Sequence, residues 1–131
     1  MFRFNKSLDI ITLFHKASSP ASVRVAAALQ KASTAAAEAA AANKGSAAEF
    51  KLDITEEPPT PDQLQIILGY IGRQKIPSVV KGASDEAEAM KKFKENVENF
   101  QRPVVVDWNN GKAVAGENES EILKMLNALP K

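Results

Sequence analysis

Two serines three residues apart, with one histidine just ahead of them, are the residues in this chain best placed for chemistry. Ser19, Pro20, Ala21 and Ser22 follow the run "ITLFHKAS", and His15 lies four residues before Ser19. A serine hydroxyl becomes a nucleophile only when a base takes its proton, and His15 is the single imidazole in the chain. A triad also needs an acid to orient that base, and no acid is obviously placed to do so. The same residues have a plainer use. Ser19 is a good helix N-cap, and Pro20 suits the first helical position, where its missing N–H costs nothing. His15 is then an imidazole at the end of a strand. The first free N–H groups of such a helix, at Ala21 to Val23, also attract an anion without any catalytic side chain.

Composition narrows these options. The chain has 131 residues, 44% hydrophobic and 25% charged, which suits one compact domain over 1–131. Seventeen basic residues against sixteen acidic ones leave a net charge of +1. That balance gives no ground for a nucleic-acid partner, and no apolar run reaches the ~20 residues needed for membrane insertion. There is no cysteine. This excludes disulfides, thiolate metal sites and thiol–disulfide exchange within the chain. One histidine makes a histidine-rich metal site unexpected, and no cofactor is expected. The N-terminus "MFRFNKSLD" holds Arg3 and Lys6 and no acid before Asp9. It reads either as a slightly basic leader strand or as a very short targeting segment.

The elements that must position Ser19 follow from periodicity. "DIITLF" is a buried, β-branched strand, β1 (9–14). After it comes a helix from Pro20, with Val23, Ala26, Ala27 and Leu29 expected to pack. Residues 32–48 are alanine-dominated: strongly helix-forming but burying little area, an extension expected to project from the core and fray near Gly45. "EFKLDI" alternates as strand β2 (49–54). Thr60 with Gln63, and Pro61 between them, form a capping box for a helix packed through Leu64, Ile67, Leu68 and Ile71 and stopped at Gly72. "RQKIPSVVKGAS" reads as irregular. Residues 85–100 form an amphipathic helix with Ala89, Met90, Phe93, Val97 and Phe100 as its stripe. "PVVVDW" is strand β3 (103–108), Asn109 to Gly111 a hairpin turn, and "KAVAG" strand β4 (112–116). Asn118 and Glu121 cap a last helix packed through Ile122, Leu123, Leu126 and Leu129. The "VDWNNG" segment offers Asp107 and Trp108 as site residues, but a hairpin with its turn chemistry explains them. The acidic "DITEEPP" loop is explained equally well as solubilising.

The order β-α-β-α-α-β-β-α predicts an α/β fold with a four-stranded mixed sheet and helices on both faces. It resembles the thioredoxin-like fold, with strands in the order β2-β1-β3-β4. "ITLFHKASSPAS" resembles the first strand and active-site turn of the arsenate-reductase-like branch, where a Cys-x-x-Ser or Cys-x-x-Cys motif opens the helix. Ser19 stands where that branch has its catalytic cysteine. "RPVVVDWNNGKAVAGENESEILKML" resembles its Arg-Pro strand, hairpin and final helix, which makes Pro103 the counterpart of a cis-proline. The whole chain outside the alanine-rich insert, through those stretches and "DITEEPPTPDQLQIILGYIG", is similar to the fungal mitochondrial redox protein family called "found in mitochondrial proteome".

That resemblance implies an oxidoreductase family, a mitochondrial location and a site at Ser19, Pro20, Ser22, Arg102 and Pro103. It implies that Arg102 helps bind an oxyanion, while a second and third arginine have only Arg73 and Arg24 as candidates. Some relatives carry a cysteine in the helix before the Arg-Pro strand; here Lys91 to Lys94 contain none. With no cysteine, no catalytic residue is assigned. Three functions stay open: a redox-family protein working through an external thiol such as glutathione, a non-catalytic module binding a peptide or small oxyanion, and a mitochondrial structural or assembly partner.

Overall fold

Hydrophobic alternation along the strands sets the architecture. The computed structural model describes residues 8–41 and 49–129. Its elements are β1 (Asp9–Phe14), α1 (Pro20–Ala41), β2 (Phe50–Thr55), α2 (Pro61–Ile71), a 3-10 turn (Arg73–Lys75), α3 (Ile76–Val79), α4 (Glu86–Glu95), a second 3-10 turn (Val97–Asn99), β3 (Val104–Asp107), β4 (Lys112–Ala115) and α5 (Glu119–Asn127). The four strands form one mixed sheet in the order β2-β1-β3-β4, as expected. β1 and β2 are parallel; β3 runs antiparallel to β1 and to β4.

Side chains alternate across this sheet and feed two cores. Phe14, Val104 and Val106 face one core, shared with Leu64, Ile67 and Leu68 of α2, Val79 of α3 and Phe93 of α4. Ile11, Leu13 and Val105 face the other, shared with Val25 and Leu29 of α1 and Ile122 and Met125 of α5. Among the described residues no helix is long and apolar enough to cross a membrane.

The locally coded elements match their sequence signals. Thr60 accepts from the Gln63 N–H at 3.1 Å, and the Gln63 side chain accepts from the Thr60 N–H at 2.9 Å. Gly72 closes α2 at φ +89, in the left-handed half of conformational space that glycine enters freely. Asn118 accepts from the Glu121 N–H at 3.2 Å and opens α5. Thr60→Ala is expected to lower the free energy of unfolding by about 1 kcal/mol. Urea denaturation checks this, and an unchanged midpoint would contradict it.

Four packing expectations are corrected. In α1 the covered residues are Ser22, Val25, Leu29 and Ala36, spaced three, four and seven apart, while Val23 is 48% exposed and Ala27 is exposed. The helix is rotated relative to the expected face because small side chains give little contrast around its circumference. The segment 76–79, expected to be irregular, is the short helix α3, with Ile76 and Val79 buried. The helix expected over 85–100 stops at Glu95. Asn96 turns extended and caps the Glu98 N–H, and the Asn99 amide donates to the Lys92 carbonyl at 2.9 Å. Val97 is consequently 42% exposed, and Phe100 reaches the core from beyond the helix, where its backbone bridges Val80. In α5, Leu123 is exposed and Met125 is buried instead.

Of the alanine-rich extension, helix α1 runs as far as Ala41; Ala32 packs on the core and Ala36 is buried, while Ala37, Glu38 and Ala41 are exposed. The expected fraying near Gly45, and the basic residues Arg3 and Lys6, lie outside the described residues.

Candidate functional site

Sheet register brings the two halves of the site together. Phe14, the last residue of β1, pairs with Val104, the first of β3. The turn after β1 and the segment before β3 therefore leave the sheet side by side at the same end. They border a polar cleft of about 320 Å³ lined by Lys16, Ser18, Ser19, Glu98, Phe100, Gln101 and Arg102. Of the five candidate site residues, Ser19 and Arg102 line this cleft. Pro20 is exposed outside it, Ser22 is fully buried, and Pro103 is buried at the start of β3, its peptide bond with Arg102 cis.

The serines divide their labour. The Ser19 hydroxyl accepts from the Ser22 N–H at 3.3 Å, which makes Ser19 the N-cap of α1. The Ser22 hydroxyl accepts from the Lys16 N–H at 2.9 Å and lies 2.6 Å from Nδ1 of His15. The imidazole thus pairs with Ser22, not Ser19. Ser22 has no accessible surface, so its oxygen cannot reach a substrate. This serine–histidine pair fastens the turn to the helix. Ser22→Ala is expected to cost about 1 kcal/mol, because the partly buried Lys16 N–H and the His15 imidazole lose their partner. Thermal unfolding measures this, and a loss below about 0.5 kcal/mol would contradict the assignment.

The helix start is also less available to an anion than the sequence suggests. Pro20 has no N–H, the Ser22 N–H is held by Ser19, and the Val23 N–H donates to the Ser19 carbonyl at 3.0 Å. The Ala17 N–H is occupied by the Glu56 carboxylate at 3.1 Å.

Arg102 is the unusual group. Its side chain is only 6% exposed. Nη1 donates to the Glu56 carbonyl at 2.8 Å and Nη2 to the Glu98 carboxylate at 2.9 Å. Nε is buried with no partner, the only such side-chain nitrogen or oxygen among the described residues. A buried donor left unmet costs about 1–3 kcal/mol, so an acceptor is called for. Glu98 also lies 3.6 Å from Lys16, giving a lysine–glutamate–arginine row along the cleft wall. Sequence could have offered Glu98, four residues before Arg102. It held no signal for the Glu56 carbonyl.

The other two arginines are elsewhere. Arg73 lines a separate hollow beside α2 and α4. Arg24 grips Glu117 through both Nε and Nη2, tying α1 to the loop before α5. This hydrogen-bonded pairing holds the Glu117 carboxyl below its ordinary value of 4.5 and raises Arg24. Glu88 is lowered too, chiefly by the backbone N–H and then the hydroxyl of Ser84. Carboxyls lowered by folding stabilise the fold above their unfolded value and lose that contribution as pH falls through the folded one. The melting midpoint is therefore expected to fall below about pH 4.5, with a shallower slope in Glu117→Gln. An identical slope in that variant would contradict the assignment. Among the described residues no group of three or more metal-binding side chains occurs.

Related sequences place the chain in a family. The chain is 41% identical over 63 residues to "Putative redox protein fmp46, mitochondrial" of Schizosaccharomyces pombe, a stretch covering 48% of this chain and 52% of that protein. The chain thus spans about half the length of the curated relative it matches. The expected kinship with fungal mitochondrial redox proteins, and the mitochondrial location it implies, agree with that relative's name. No solved structure matches the chain. The family model described as "Protein of unknown function (DUF1687)" matches residues 2–117, most of the length, and the chain belongs to that family.

Proposed function

We propose that this chain is a mitochondrial, thioredoxin-like member of a redox-protein family that holds a small thiol peptide of the glutathione kind in the Ser19–Arg102 cleft. Its own side chains supply no thiol, so any exchange of electrons is carried by the ligand's sulfur. The observation behind this reading is the Arg102 guanidinium: buried, beside a polar cleft, with Nε unmet. Nε has no accessible surface in the free protein, so binding requires the Arg102 side chain to turn toward the cleft, where a carboxylate oxygen of the ligand accepts from it in a charge-assisted hydrogen bond. Lys16 offers a second cation, Glu98 a counter-charge for an ammonium group, and Ser18 and Ser19 lie alongside them.

The mixed signs favour a zwitterionic peptide over a small oxyanion. Glu98 repels a phosphate or arsenate from the Arg102 side, and the helix N–H groups that would cradle it are largely committed. The thioredoxin-like assignment is supported by the strand order and by the placement of the Ser19 turn next to Pro103, and the redox reading by the relative's name. The arsenate-reductase-like branch has support only in the Arg102–Pro103 pair.

Calorimetric titration with reduced glutathione, a thiol-free analogue and inorganic phosphate tests the reading. Glutathione and the analogue are expected to bind alike, at about 1 mM or tighter, or about −4 kcal/mol. Phosphate binding more tightly than either would favour the oxyanion alternative. Heat from none of them would reject the ligand site.

A further inference from the structure

A further open feature lies at β4, one of the two edges of the sheet; β2 forms the other. β4 pairs with β3 on one side only, and among the described residues no strand lies beyond it. The Gly116 N–H donates to the Pro103 carbonyl at 2.9 Å. Antiparallel alternation then turns the N–H and C=O groups of Lys112 and Val114 toward β3, and those of Ala113 and Ala115 outward. Among the described residues no loop or side chain hydrogen-bonds these outward groups. Native edges are usually guarded by a central charge, a proline or a bulge. β4 is short, at four residues, but Ala113, Val114 and Ala115 carry no charge, proline or bulge, and only Lys112 stands guard, at one end.

Two adjoining hollows, of about 400 and 350 Å³, open along this edge. Ile71, Lys75 and Pro77 wall one side, Glu121 and Lys124 the other. Lys75, Lys112 and Lys124 are exposed, against the single carboxylate Glu121. None of the three lysines has an ion-pair partner among the described residues.

We propose that this edge takes an extended acidic peptide segment as a fifth strand of the sheet. Main-chain hydrogen bonds to Ala113 and Ala115 supply the attachment, as in strand addition generally. Successive side chains of the added strand point to opposite faces, as those of β4 do: Ala113 and Ala115 pack toward α2 and Val114 toward α5. Acidic residues of the segment thus meet Lys75 on one side and Lys124 on the other. The small alanines leave room for them. This surface does not depend on the glutathione reading, since Ser19 and Arg102 line neither hollow.

The probe is a fluorescein-labelled heptapeptide with glutamates on both faces of an extended strand, Val-Glu-Glu-Val-Glu-Glu-Val, compared with the same peptide carrying lysine for glutamate. Polarisation is expected to show the acidic peptide binding about tenfold more tightly, and Lys75→Glu combined with Lys124→Glu is expected to remove that preference. Both lysines are surface residues, so the variant is expected to fold. Hydrogen exchange at the Ala113 and Ala115 amides is expected to slow about tenfold on binding. Equal binding of the two peptides would overturn the proposal. So would binding that leaves those two amides unprotected. Protection without peptide, accompanied by a dimer mass in sedimentation, would make the occupant a second copy of the chain and would also overturn it.

Discussion

Phe100→Ala is expected to lower the free energy of unfolding by about 3–5 kcal/mol, the usual cost of removing a large buried aromatic ring. The ring is 2% exposed and packs edge-on against Phe14 at 5.5 Å and Phe93 at 6.4 Å. Phe14 in turn stands edge-on to Trp108 at 6.5 Å. One substitution therefore opens a void where β1, α4 and the segment before β3 converge. Phe100 also lines the candidate cleft next to Gln101 and Arg102, so collapse around the void is expected to displace both. Urea denaturation reads the stability. A loss under about 1.5 kcal/mol would mean that the cluster repacks and is not the joint described here.

Arg102→Lys is expected to weaken glutathione binding about tenfold or more, with a smaller loss of stability. A guanidinium presents five N–H groups in a fixed fork, and here two of its three nitrogens already hold the Glu56 carbonyl and the Glu98 carboxylate. A lysine ammonium can replace one of those contacts but cannot also offer a donor at the position of Nε. The ligand's carboxylate then loses its partner. Arg73→Lys, in the separate hollow, is expected to leave binding unchanged and serves as the control. Unaltered binding in Arg102→Lys would remove the basis of the proposed site.

Local signals carried most of the fold in readable form. The Thr60–Gln63 box, Gly72 and the Asn118 cap each depend on residues within four positions, so sequence shows both partners at once. The strands were legible because β1, β3 and the hairpin at Gly111 are strongly patterned, while their order in the sheet came from the resemblance to the thioredoxin-like fold. The phase of α1 was not, since alanines do not distinguish a buried face from an exposed one. The end of α4 was not, because Asn96 and Asn99 break the helix through contacts invisible in an amphipathic pattern.

The site was legible in position but not in wiring. The neighbourhood of Ser19 and Arg102 followed from the fold. The pairing of His15 with Ser22, seven residues apart across a turn, depends on a backbone path that the sequence does not spell out. The burial of Arg102, and its unmet Nε, depend on Glu56 from a segment 46 residues away.

The central claim is that this cysteine-free chain holds a thiol peptide between the Ser19 turn and Arg102. Titration of ¹⁵N-labelled protein with S-methylglutathione, whose sulfur cannot exchange, tests it most directly. The account predicts saturable amide shifts confined to residues 16–22 and 98–102, largely lost in Arg102→Lys. Unshifted amides in both segments at millimolar ligand, or shifts that persist in Arg102→Lys, would contradict it.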